Sequence, residues 1–111
     1  MEQDQARYIV RYYSHLMSTE EKFAYTNLNV QLKSAHASPS MQAHLSQLLS
    51  DNPEAVELAK DGLEAFEQQA AGRILEVHGN TVILNYCPRC GKLAKTPKAR
   101  QCRFCFHDWH D

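Results

Sequence analysis

Apolar residues recur at helical spacing through most of the chain. Between residues 5 and 17 they fall at Ala6, Ile9, Val10, Tyr13, Leu16 and Met17, the i, i+3, i+4, i+7 repeat of a single stripe. Ser18 and Glu21 then have the spacing of a capping box, in which each side chain satisfies a backbone N–H of the other residue. A second helix is predicted from about Thr19 to about His36, with Ala24, Leu28, Leu32 and Ala35 as its main stripe and Phe23 and Val30 on a second flank. Ser38-Pro39 ends one helix and starts another, because Pro suits the first helical turn and breaks an interior one. A short third helix carries Met41, Leu45, Leu48 and Leu49. Asp51-Asn52-Pro53-Glu54 repeats the start signal, and the fourth stripe is Val56, Ala59, Leu63, Phe66 and Ala70, with Gly72 expected as its C-cap. Gly62 would lie inside that helix at a cost of about 1 kcal/mol relative to Ala.

After Gly72 the period changes. Residues 74–78 and 81–86 are β-branched and apolar runs, and Gly79-Asn80 between them suits a two-residue hairpin turn. In that register Val77 faces Val82 and Leu75 faces Leu84, and the second strand delivers the chain to Cys87.

Four helical stripes have to bury their apolar faces, so the Tyr, Phe, Leu and Met positions are expected to form core rather than a ligand pocket. Composition agrees, since 43% apolar and 23% charged residues are ordinary for a globular protein. No apolar run has the length of a membrane span. The N-terminus, MEQDQARYIVRYYSH, has acids where a signal peptide needs bases. A cytoplasmic location with reduced thiols is therefore expected.

Charge is uneven along the chain. Residues 1–86 hold six Lys and Arg against eleven Asp and Glu, a net of -5, whereas residues 87–111 hold six against two, a net of +4. The basic residues of the tip are Arg89, Lys92, Lys95, Lys98, Arg100 and Arg103. The acids Glu54, Glu57, Asp61, Glu64 and Glu67 look like a solvated helix face, and His15, His36 and His44 have no metal-ligand spacing. No Gly-rich phosphate loop, Ser nucleophile motif or H-E-x-x-H is present, and no small-molecule substrate is indicated.

The chemistry of the chain is concentrated in CPRCGKLAKTPKARQCRFCFHDWHD, residues 87–111. All four cysteines lie there, in two C-x-x-C pairs. Disulfides are disfavoured by a reducing compartment. A thioredoxin-type C-x-x-C opens a helix, whereas Pro88 and Gly91 favour a tight turn. Two such turns can each offer two sulfurs to one tetrahedral metal ion, and Gly91 allows the positive φ that turns backbone N–H groups towards the sulfurs.

This segment resembles the zinc-ribbon class, in which a hairpin ends at a motif such as C-P-R-C-G and a second region ends at C-R-F-C; its first knuckle is also similar to that of rubredoxin. The resemblance covers residues from about 73 to 107 and implies Cys87, Cys90, Cys102 and Cys105 as ligands of one Zn²⁺. Phe106 departs from the pattern, standing where many such knuckles have Gly. His107 or His110 is the available substitute for a cysteine ligand. The expected fold is therefore α+β: a helical body of about four helices over residues 1–72, then a β-hairpin and zinc ribbon over residues 73–111.

The expected function is non-catalytic: a structural zinc ribbon presenting an interaction surface to a protein or nucleic acid, without membrane contact. Lys92, Lys95, Lys98, Arg100 and Arg103 are the candidate nucleic-acid contacts, with Phe104, Phe106 and Trp109 as stacking surfaces. The same bases equally suit the role of offsetting the formal -2 charge of a zinc tetrathiolate. A thiol-based redox or metal sensor is the alternative, and a zinc enzyme a more remote one.

Overall fold

The structure, a computed structural model, describes residues 1–109. Five helices follow one another: α1 (Gln3–Tyr12), α2 (Thr19–Ser34), α3 (Pro39–Ser46), α4 (Pro53–Ala59) and α5 (Leu63–His78), with a single 3₁₀ turn (Ser14–Leu16) between α1 and α2. The starts are set by side chains that satisfy the free N–H groups of the first turn. Ser18 accepts from Glu21 N–H while Glu21 accepts from Ser18 N–H, forming the capping box of α2. Ser38 caps α3 and Asn52 caps α4, each followed by Pro at the first helical position.

The core lies between α1, α2 and α5. Ala6, Ile9 and Val10 of α1 meet Phe66, Ala70 and Ile74 of α5 and Ala24 and Leu28 of α2, and the Phe66 ring stacks on Tyr25. Two buried carboxylates pin this interface. Glu67 of α5 accepts from Gln3 and pairs with Arg7, both on α1, while Glu21 of α2 pairs with Arg73 of α5. Glu67 is therefore not on the solvated face expected for it. The cost of removing these charges from water is offset by their paired cations and extra hydrogen bonds. On the far side, Asn27 of α2 exchanges two hydrogen bonds with the backbone of Ser50 and fixes the approach to α4.

The expected α+β class is corrected: among the described residues there is no β-strand, and hence no hairpin and no ribbon. The apolar run at 74–78 belongs to α5, because Phe66, Ala70 and Ile74 continue one helical face at i, i+4, i+8, and Ile74 is fully buried. Gly72 is an interior residue of that helix and not its C-cap. The break falls instead at Gly62, which takes φ 92° and divides the expected fourth helix into α4 and α5. That left-handed conformation strongly favours glycine. Leu32, Met41, Leu48 and Val56, expected in the core, are all about half exposed.

Beyond α5 the chain runs extended beside α1. Val82 and Leu84 turn inward and Ile83 outward, a period of two without a partner strand. The backbone groups are satisfied by tyrosines of the first helical segment. Tyr8 Oη donates to Ile83 C=O and accepts from Asn85 N–H, and Tyr13 Oη accepts from Ile83 N–H. Burial pushes the Tyr8 phenol above its usual range, against the opposing pull of the Asn85 N–H, so it stays a proton donor at neutral pH. Leu93 joins the same core as the helices. Among the described residues no helix is long and apolar enough to cross a membrane.

Candidate metal centre

The two C-x-x-C pairs fold as near-copies of one another. In the first, Cys87 N–H donates to Lys92 C=O at 2.8 Å and Gly91 N–H donates back to Cys87 C=O at 2.9 Å. In the second, Cys102 N–H donates to His107 C=O at 2.8 Å and Phe106 N–H donates back to Cys102 C=O at 3.1 Å. Single β-bridges, Tyr86 to Leu93 and Gln101 to Asp108, close each loop at matching positions. The equivalence extends to the backbone: Gly91 has φ 76° and Phe106 has φ 63°. Phe106 thus takes the glycine conformation with a Cβ and a ring, and that ring is 72% exposed.

The turns bring all four sulfurs together, no two more than 4.8 Å apart. Two pairs meet across the knuckles, Cys87 to Cys105 at 3.6 Å and Cys90 to Cys102 at 3.5 Å. A tetrahedron with metal–sulfur bonds of about 2.3 Å has edges of about 3.8 Å, so the observed spacing fits one four-coordinate ion. All four residues are free thiols.

Each knuckle also supplies N–H donors to its first sulfur. Arg89 and Cys90 N–H reach Cys87 Sγ at 3.4 Å, and Phe104 and Cys105 N–H reach Cys102 Sγ at 3.4 and 3.5 Å. These donors favour thiolates. At Cys102 the Cys105 N–H opposes the effect of burial and, with the Phe104 N–H and neighbouring thiols, holds the group at about 6. At Cys87 burial pushes the thiol up, but the Cys90 and Arg89 N–H groups and the neighbouring thiols bring it below the ordinary range. Cys90 goes the other way, to about 11: the Lys92 N–H lowers it, and burial with its thiol neighbours more than reverses that. Cations that bind cysteine take it as the thiolate, the form that these N–H donors favour at Cys87 and Cys102.

One residue ties the two knuckles to each other and to the body. Asn85 Nδ2 donates to Thr96 C=O at 3.0 Å and Ala99 C=O at 2.8 Å, spanning the loop between the pairs. Its own carbonyl accepts from Ala94 N–H, and its N–H faces Tyr8. Gln5 of α1 donates to Tyr86 Oη at 2.6 Å beside the first knuckle.

The basic residues predicted as contacts do not all gather. Lys95 and Arg103 line one cleft against α1, and Lys92 lines the depression next to it. Lys98 sits at the opposite end beside Tyr12 and Tyr13, and Arg100 lines none of these hollows. Lys92 Nζ and Arg103 Cζ lie 4.7 and 4.9 Å from the centre of the Phe104 ring, two cation–π contacts at the surface. His107 stacks on Trp109 and is outside the sulfur cluster, and His110 lies outside the described residues. Sequence reasoning missed Asn85, Tyr8 and Tyr13, whose roles depend on an approach between segments some 70 residues apart. It also missed Arg7 and Arg11, one helical turn apart on the exposed face of α1.

No family model, curated protein or solved structure matches this chain. The class defined by fold and site is a small helical protein with a four-cysteine cluster, compatible with metal binding, at the end of the chain.

Proposed function

We propose that the chain is a non-catalytic zinc protein. One Zn²⁺ held by Cys87, Cys90, Cys102 and Cys105 would fix residues 82–109 against α1, and the joined surface would receive a macromolecular partner. The observation that carries this reading is the convergence of four sulfurs within 4.8 Å, two of them already facing backbone N–H donors. Four thiolates fill a tetrahedral shell and leave no position for a reacting water, which is the arrangement of structural rather than catalytic zinc. Zinc is preferred to iron as the common structural ion for such a donor set. Its binding free energy in small metal-folded units, about 10–16 kcal/mol, is ample to order a segment with few buried side chains of its own.

Native mass spectrometry with elemental analysis tests the proposal, together with X-ray absorption at the zinc edge. One zinc per chain with four sulfur neighbours at about 2.3 Å is expected. Stoichiometric iron, a shell containing histidine nitrogen, or two disulfides in protein isolated under reducing conditions would overturn it.

A further inference from the structure

Where α1 faces the cysteine segment, three shallow hollows join end to end. The central one, of about 160 Å³, lies between Arg7 and Arg11 of α1 and Lys95 and Arg103 of the segment, with Tyr8 and Tyr12 as its wall. It shares Asp4 and Leu93 with a hollow that holds Lys92, Tyr86 and Phe104. At the other end it shares Tyr12 with one that holds Tyr13, Pro97 and Lys98. The result is a groove along α1, with six cations from both walls, Glu2 at one end and Asp4 where that end meets the central hollow.

Charge in this groove is not internally neutralised. The ion pairs among the described residues are Arg7–Glu67, Lys60–Glu57 and Arg73–Glu21. Arg11, Lys95 and Arg103 have no carboxylate partner in that set, and all three are exposed. Arg7 is shared with Glu67, so it contributes less than a full charge. Residues 1–86 carry a net charge of -5 and residues 87–111 a net of +4, so attraction for an anion is concentrated on the cysteine segment and the wall of α1 beside it. Exposed aromatic faces lie beside the cations: Tyr86 is 41% and Phe104 47% exposed, and half-buried Tyr12 packs edge-on against the buried Tyr8 with ring centres 5.5 Å apart. The central hollow is smaller than the roughly 300 Å³ of an enclosed small-molecule site, so a chain lying across it is favoured over a ligand held inside.

We infer that this groove binds single-stranded nucleic acid, its phosphates on Arg11, Lys95 and Arg103 and its bases against the exposed aromatic faces. Single strands are held by this combination of a cationic track and aromatic platforms, because an unpaired base exposes the π-face that a duplex conceals. The inference rests on the zinc reading in one respect: one wall of the groove is the segment that the metal orders.

Fluorescence anisotropy with a labelled oligothymidine and oligouridine, using zinc-loaded full-length protein over a salt series, is the test. Binding that weakens steeply with salt is expected. Replacing Arg11, Lys95 and Arg103 by Ala should flatten the log–log slope by roughly 0.7 for each phosphate that is no longer neutralised. Phe104→Ala should weaken binding by roughly 5- to 150-fold, the range of one missing base stack. Lys33→Ala, on α2 away from the groove, should leave the slope unchanged. Zinc content and circular dichroism of each variant separate weakened binding from failed folding. Zinc-loaded protein that binds neither oligonucleotide more tightly than about 10⁻⁴ M at low salt overturns the inference and leaves the metal reading intact. A duplex or poly-glutamate bound as tightly as the single strands also overturns it. A chain isolated without zinc that still binds the strands with these dependences overturns the metal reading and upholds the groove.

Discussion

Phe106 offers a measurement of backbone strain at a place where side-chain packing contributes little. It holds φ 63° in the second knuckle, where the first knuckle has Gly91 at φ 76°. A residue with a Cβ pays roughly 1–2 kcal/mol for that conformation. Glycine avoids the clash but loses about 0.5–1 kcal/mol to its greater freedom in the unfolded chain. The ring is 72% exposed, so its covered part contributes only about 0.5–0.8 kcal/mol of the amount expected for a fully buried Phe. Phe106→Gly should therefore lie within about 1 kcal/mol of the natural chain, because the relieved strain offsets the missing ring and the added flexibility. Phe106→Ala loses the ring and keeps the strain. Glycine should consequently exceed alanine at this position by about 0.5–1 kcal/mol, or two- to fivefold in zinc affinity by chelator competition. Gly91→Ala supplies the reverse experiment. Nothing lies within 4 Å of a Cβ built there, so only the conformation is changed, and a loss of the same two- to fivefold is expected. Equal zinc affinity for Phe106→Ala and Phe106→Gly would refute the strained backbone, and a loss beyond tenfold for Phe106→Gly would mean that the ring itself supports the centre.

Chelation of the metal should leave the amide resonances of α1 to α5, residues 3–78, dispersed while those of 82–109 collapse, since the helices bury their own core and residues 82–109 add to it only Leu93, Ala94 and the partly buried Val82 and Leu84; loss of dispersion throughout would show one cooperative unit. Asn85→Ala should cost about 1–3 kcal/mol in thermal or denaturant unfolding, because the Thr96 and Ala99 carbonyls lose their donor. Asn85→Asp should cost at least as much, since it sets a carboxylate against both carbonyls, and an Asp variant as stable as the natural chain would show that the amide is not the clamp.

How far the structure could be read from the sequence depends on whether each signal was local. Ser18 with Glu21, Ser38-Pro39 and Asn52-Pro53 set helix starts through hydrogen bonds that span only two or three residues, and all three caps form. The C-x-x-C pairs are local in the same sense, since each knuckle closes on its own backbone hydrogen bonds. Where the reading failed, a local signal competed with burial. Ile74-Leu75-Glu76-Val77 has the composition of a strand, yet the space opposite Ile9 and Val10 is filled by continuing α5 one and a half turns past Gly72. Packing of one side chain outweighed β propensity, which is weak and dependent on context. The run at 82–85 kept its extended form and its in–out alternation but found tyrosine hydroxyls in place of a second strand. Nothing in the spacing of Tyr8 and Tyr13 could announce that.

The same long-range docking decides what the cysteine cluster can do for the rest of the molecule. Tyr8 reaches Ile83 and Asn85, Gln5 reaches Tyr86, and Leu93 enters the helical core, so α1 is the surface against which the whole segment is positioned. Asn85 then fixes the loop carrying Lys95 and Lys98 relative to that surface. One wall of the groove is thus a helix held by its own core, through Glu67 and the apolar face of α5. The other wall is a segment with two small knuckles and few buried side chains. Under the proposed zinc reading the metal would order only the second wall, and the cations on the two sides of the groove, Arg11 on one and Lys95 and Arg103 on the other, come from different walls. Like charges brought together repel, so closing the groove costs free energy that the hydrogen bonds of Asn85 and Tyr8 must exceed. A bound polyanion reverses the sign of that cost, and its stabilisation should therefore be largest at low salt and in the presence of zinc.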